Sequence, residues 1–285
     1  MNNQSVLSKM FAPDPPFAYL LVKIGIVFLF AYLALILSPI PHWVALIWFA
    51  NAWGTVILIQ LPWRKWPLTI LGISVASMSA SLAVGLSLKL TMLFAVPHLL
   101  EVVLSAFIIR RLGIWPDISR NTQSMTWFIV VGTVVPSIIC GVVAGVLLGP
   151  TSGGFALALS HWIIGALVGT VGLLPVVAAI SCELQSWSRL SAFQPKTLGI
   201  VISSALVIIV ILTIFSNPFV FTATILVILA LKTSFAGTAL GIFFAVTISG
   251  LSISRGYFIL PLVNSPWQEL PRVLPIVVVA LPALF

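Results

Sequence analysis

Between Lys89 and Arg110 the chain runs for about the thickness of a bilayer with one charge inside it, Glu101. An apolar segment of that length is expected to cross lipid as a helix, because inside hydrocarbon each backbone N–H and C=O has to be satisfied within the segment. Glu101 lies nine residues before Arg110 and twelve after Lys89, hence near the midplane at about 1.5 Å of rise per residue. A free carboxylate at that depth is costly, so the residue is expected to face the bundle interior and to have a partner. His98 stands three residues earlier on the same helical face, and Ser105 one turn later. Pro97 removes one helix hydrogen bond just ahead of the cluster and is expected to bend the segment.

The rest of the chain is built the same way. Hydrophobic residues make up 61% and charged residues 6%, which excludes an ordinary soluble domain. The expected class is all-α, a polytopic bundle of about eight to ten spans, with no length left for a second, soluble domain. The net charge of +8 does not indicate nucleic acid, since the basic residues stand in ones and twos at the ends of apolar runs. Cys140 and Cys182 have no CxxC spacing, so neither a disulfide framework nor a zinc site is expected. Residues 1–16 read as a short cytoplasmic tail without a cleavable signal pattern.

The first span is expected at 17–39, with Lys23 snorkelling near its start. A break at Ser38–His42 leads to a second span, 43–62, containing WFANAW, in which Asn51 asks for a partner on another helix. Arg64 and Lys65, flanked by Trp63 and Trp66, mark an interfacial helix end. The third span, 67–87, puts Ser74, Ser77 and Ser81 on one face. The fourth closes at Arg110 and Arg111, and a polar loop at 113–125 follows. The fifth, 126–148, holds Pro136 and a GxxxG pair, Gly141 and Gly145. A GPTSGG turn leads to the sixth, 155–180, where Gly165, Gly169 and Gly172 form a smooth stripe after His161 and Trp162. A polar loop from Cys182 to Lys196 precedes spans at 197–215, 218–231 and 235–253, and Leu274–Phe285 begins a tenth.

With the amino end inside, Lys9, Arg64, Lys65, Arg110, Arg111, Arg120, Arg189, Lys196 and Lys232 are cytoplasmic, and Lys89, Arg255 and Arg272 are outside. Nine against three argues for both ends in the cytoplasm.

Glu101 reads either as a ligand-binding or protonation-switching group, or as a structural hydrogen-bonding group. With His98 beside it, the pair could share a proton. Asn51 serves the same site or acts as interhelical glue. His161 and Trp162 line a pocket opening to the periplasm, or Trp162 is an interfacial anchor. The glycine stripes serve packing within the chain or a homodimer. No HExxH, GxSxG or Walker pattern occurs in a span, so no enzyme, catalytic residue, metal or cofactor is expected.

WFANAW with RKWP, VPHLLEVVLSAFIIRRL, the proline-bearing fifth span, HWIIGALVGTVGLLP and SPWQELPRVLPIVVVALPA occur in an order that resembles the type-one membrane-associated sensor domain of bacteria. The resemblance covers nearly the whole chain. It implies a sensory input domain of the inner membrane, joined to a cytoplasmic histidine kinase or cyclic-di-GMP output domain in cis or in trans. It also matches Glu101, Asn51, Trp162, Gly165 and Gly169 to the family pattern. One position departs: Ala166 stands where many relatives carry an acid. The chain is expected either to be cut within its last span, ahead of an output domain, or to act as a stand-alone sensor.

The reading is a sensory module in which an unidentified small molecule or proton at Glu101 shifts helix packing. The rivals are a transporter or substrate-binding subunit for a small solute, and a membrane scaffold that recruits a signalling partner.

Overall fold

The computed structural model describes residues 17–37, 45–119, 121–185, 193–258, 265–268, 271 and 274–285. The 1–16 tail, the break at Ser38–His42, and the expected topology residues Arg120, Arg189 and Arg272 lie outside the described residues. Among the described residues the chain is helical without strands: α1 (Phe17–Leu37), α2 (Phe49–Gln60), α3 (Trp66–Ala83), α4 (Leu88–Leu112), α5 (Thr122–Leu148), α6 (Phe155–Gln185), α7 (Pro195–Ile214), α8 (Pro218–Lys232), α9 (Phe235–Ser254), and the short α10 (Pro275–Val278) and α11 (Leu281–Leu284). Seven of these are long and apolar enough to cross a membrane, while α2, α8 and the α10–α11 stretch are shorter apolar helices.

Local chemistry sets the ends of α4. The Ser87 side chain accepts from Leu90 N at its start, and Gly113 takes the left-handed conformation at its end, behind Arg110 and Arg111. The helix continues through Pro97. In α5 the proline has a visible consequence. Residues Phe128–Val134 are wound as a π-helix, with Val135 N–H reaching Val130 O, just before Pro136. The wider turn accommodates a residue that lacks an N–H and whose ring presses on the preceding turn.

The bundle is organised around α6. In its most apolar window 89% of the residues are buried, against 22% for α7. Helices α2, α5 and α9 pack along α6; α3 and α4 close the α1 side, and α7 and α8 join through α9. Outward residues such as Leu68, Leu71 and Val146 are exposed, as lipid-facing side chains are. The GxxxG pair of α5 is used inside the chain. A Cβ on Gly141 would stand 2.9 Å from Ile163 Cγ1, and one on Gly145 would stand 2.7 Å from the Phe155 ring.

The second span differs from its expected form. An unbroken helix over 43–62 was expected, but helix occupies Phe49–Gln60 alone, about 18 Å at 1.5 Å per residue and well short of a roughly 30 Å hydrocarbon core. Residues 45–48 are non-helical and buried. They lie on the glycine stripe of α6. A Cβ on Gly165 would come within 2.7 Å of the Ala45 carbonyl oxygen, and one on Gly169 would fall on the carbonyl oxygen of Trp48. Gly172 continues the groove under Val246 and Phe49 side chains. Irregular backbone at membrane depth is tolerated where protein buries it or where it lines a cavity, and here it does both.

Three other expectations change. Lys23 is buried and donates to Gln60 Oε1 instead of running free to the headgroups, and its own carbonyl accepts from Trp53 Nε1 at 3.0 Å. Cys182 belongs to α6, which outlasts its expected end, and its thiol bonds Asp117 Oδ1 at 3.3 Å. The tenth span is two short helices broken at Val279–Ala280.

The helix ends sort into two sets. Arg110 donates to Leu61 O and lies over Trp63, 4.6 Å from Cζ to the ring centroid, while Trp66 Nε1 reaches Leu58 O at 2.9 Å. This ties α2, α3 and α4 beside Arg64, Lys65 and Arg111. At the opposite ends, Arg255 donates to Ile36 O at 3.1 Å and Leu37 O at 3.3 Å, capping α1 with a cation.

Gly169→Ala is expected to cost about 1–3 kcal/mol through forced overpacking against backbone. Gly199→Ala, where nothing lies within 4 Å, is expected to be neutral or stabilising by about 0.5–1 kcal/mol. Thermal unfolding in lipid nanodiscs checks the pair, and equal behaviour would contradict the groove.

Candidate functional site

Glu101 is 1% exposed and its carboxyl group is held from two elements. The first is α2, whose opening turn carries Asn51. Asn51 Nδ2 donates to Glu101 Oε2 at 3.0 Å, and Asn51 Oδ1 accepts from Trp48 Nε1 at 3.0 Å. The second is α6, whose Trp162 Nε1 donates to the same Oε2 at 3.1 Å. From α5, Ser137 and Cys140 face the carboxyl, although the Ser137 hydroxyl itself donates to Thr133 O at 2.8 Å. Glu101 Oε1 is buried without a hydrogen-bond partner among the described residues.

A cavity opens beside this carboxyl group. Its volume is about 30 Å³. Glu101, Asn51, His98, His161 and Trp162 all line it, so the chain brings five of the six expected binding residues together. Ser105 is the exception. It is buried on the same helix but is not part of the lining, and its hydroxyl has no hydrogen-bond partner among the described residues. Gly165 and Ala166 form part of the floor. An acid at position 166 would enter this same space.

The expected proton-sharing contact between His98 and Glu101 is not formed among the described residues. The imidazole instead lies between two indoles, stacked on Trp48 at 4.5 Å and 14° and tilted against Trp162 at 4.3 Å and 40°. Ring packing, not the acid, sets its orientation, and its Nδ1 is buried without a partner among the described residues. Trp162 is correspondingly no interfacial anchor: it is 4% exposed and bonded to the acid.

Leu35, Ala45, Trp48, Ser81, Leu86 and Phe94 are lining residues that sequence reasoning did not assign to the site. For two of them a signal existed. Trp48 stands three residues before Asn51 and Phe94 four before His98, the spacings that put side chains on one helical face. The lining residues Leu35, Ala45, Leu86 and His161 all lie toward the ends of their elements that share a side with Leu37 and Arg255. Accordingly, the cavity occupies that half of the bundle.

Asn51→Leu leaves the Trp48 N–H without its acceptor and strips one donor from Oε2, a loss of about 1–3 kcal/mol. Ser105→Ala removes a hydroxyl with no partner and is expected to stay within about 0.5 kcal/mol or to stabilise. Unfolding by sodium dodecyl sulfate in mixed micelles measures both, and the opposite order would contradict the assignment.

The family model MASE1 matches residues 19–263. Over 157 residues, 55% of this chain, the sequence is 27% identical to the probable diguanylate cyclase DgcE of Escherichia coli strain K12, and the match spans 14% of that protein. No solved structure matches. The expected localisation, multi-pass in the bacterial inner membrane, accords with seven apolar helices of spanning length and with that family. The chain therefore belongs to the MASE1 family, integral membrane sensory domains without catalytic activity of their own.

Proposed function

We propose that this chain detects a small solute in the cavity beside Glu101 and passes the event to a cytoplasmic output domain of the kinase or cyclic-di-GMP class, in cis or in trans. The observation that carries the reading is Glu101 Oε1, a buried carboxyl oxygen without a hydrogen-bond partner among the described residues, on a residue that lines a cavity. Such an atom is stabilised by whatever brings it a donor, so occupancy changes the free energy of the site. The similarity to a probable diguanylate cyclase supports a cyclic-di-GMP output.

The basic residues argue for the side. Arg64, Lys65, Arg110 and Arg111 gather at one end of α2, α3 and α4, so that end is cytoplasmic and the cavity half faces the periplasm. The ligand arrives from outside.

Transmission runs through the groove on α6. The Trp48 ring lines the cavity while its carbonyl lies against Gly169, so a ligand that moves the ring also moves the irregular segment on its glycine track. The far end of α2 is held at the cytoplasmic side by Trp66 and Arg110. Helix α9, packed along α6, carries the change to α10 and α11. The ligand shifts the equilibrium only by its difference in affinity for the two packings, on the order of 1–3 kcal/mol for typical coupling.

A diguanylate cyclase reporter fused after Phe285 tests this. Its activity is expected to respond to an added solute, and Glu101→Gln is expected to abolish the response with membrane insertion intact. A fully responsive Gln variant would overturn the role of the acid, and solute uptake into proteoliposomes by the chain alone would favour transport.

A further inference from the structure

The hydrogen-bond chain at Glu101 fixes what the cavity asks of a ligand. The Trp48 indole N–H can only donate, so the Asn51 oxygen faces it and the Asn51 nitrogen faces Glu101. Trp162 is donor-only as well, so Oε2 accepts twice. Oε1 is the oxygen left without a donor among the described residues. No Lys or Arg is among the described lining residues, so an ionised carboxylate here has no cation from that lining.

Aromatic rings line the cavity that Glu101 shares. His98 stacks on Trp48 and lies tilted against Trp162, with Phe94 6.2 Å from His98 and 6.5 Å from Trp162. Indole faces attract cations, most strongly where water is excluded. Space limits the rest: a cavity of about 30 Å³ has room for roughly two waters, hence for a ligand of few non-hydrogen atoms.

We infer that the cavity takes a small organic ammonium ion, a primary or methylated amine, with N–H on Glu101 Oε1 and its alkyl part against Trp48, His98 and Trp162. The inference rests on the sensory reading of the same cavity. Other chemistries fit less well. An anion meets a carboxylate, and a solute without a donor leaves Oε1 unpaired. A bare divalent metal ion needs a shell of oxygens. The side-chain oxygens of the lining come from Asn51, Ser81 and Glu101, and that of Asn51 is occupied by Trp48.

Equilibrium binding of radiolabelled methylammonium to the full chain in phosphatidylcholine nanodiscs tests the inference. Saturable binding is expected, competed by ethylammonium and not by equal concentrations of methanol or sodium chloride. Glu101→Gln retains an acceptor oxygen for Asn51 and Trp162 but turns an amide N–H toward the ligand; binding should weaken roughly tenfold to a hundredfold. Ala166→Leu leaves the carboxylate in place and fills the floor, and should abolish binding.

No saturable binding, equal competition by methanol or sodium chloride, or binding unchanged in both variants would overturn the ligand class. If the cyclase fusion meanwhile responds to another solute through Glu101, the sensory reading stands without it. If methylammonium binds as expected but the fusion responds to nothing, the ligand class stands and the sensory reading falls.

Discussion

A carboxyl group at hydrocarbon depth has to be satisfied by the protein around it, and the bundle meets that need for one oxygen of Glu101 and not for the other. Oε2 takes two N–H donors, from Asn51 and Trp162. To supply the first, α2 begins at Phe49 and the chain before it abandons helix. To let that irregular backbone lie against α6, Gly165 and Gly169 present no side chain. The site and the packing of the central helix are therefore one arrangement, joined at Trp48, whose indole donates to Asn51 and whose carbonyl lies on Gly169.

Much of this was legible in the residues. Apolar length gave the membrane bundle, and the paired arginines gave the end of α4; the caps at Ser87 and Gly113 emerge from the structure. A lone acid and a lone amide at bilayer depth each demand a partner, and Glu101 and Asn51 are partners of one another. The glycine stripe was legible as a place of close approach. What approaches it was not, because a run such as WVALIWFANAW is as apolar in an extended segment as in a helix. The break at Trp48 is decided by α6, far along the chain. His98 was misjudged for a related reason: proximity along α4 suggested the acid, whereas its contacts are indoles from two distant segments. Lys23 looked free to reach the interface because its acceptor, Gln60, belongs to another helix.

Membership of the MASE1 family fixes the general role, and the cavity gives it a physical form. Among the described residues three apolar stretches, α2, α8 and α10–α11, are shorter than the spans, and of these α2 is the one that touches the cavity. Ala166 carries a further implication. Its methyl group is part of the cavity floor, so an acid at this position would add a second carboxylate beside Glu101 and change which ligands the site accepts.

The central claim is that the space beside Glu101 is reachable from the periplasm. Cysteine labelling measures this directly, with a small charged methanethiosulfonate reagent added outside spheroplasts of a Cys140→Ala, Cys182→Ser chain. The account predicts that Ala166→Cys is modified from outside while Ala178→Cys, buried farther along the same helix, is not. An Ala166→Cys chain that stays inert, or that reacts only when the reagent is given access to the cytoplasmic face, would contradict it.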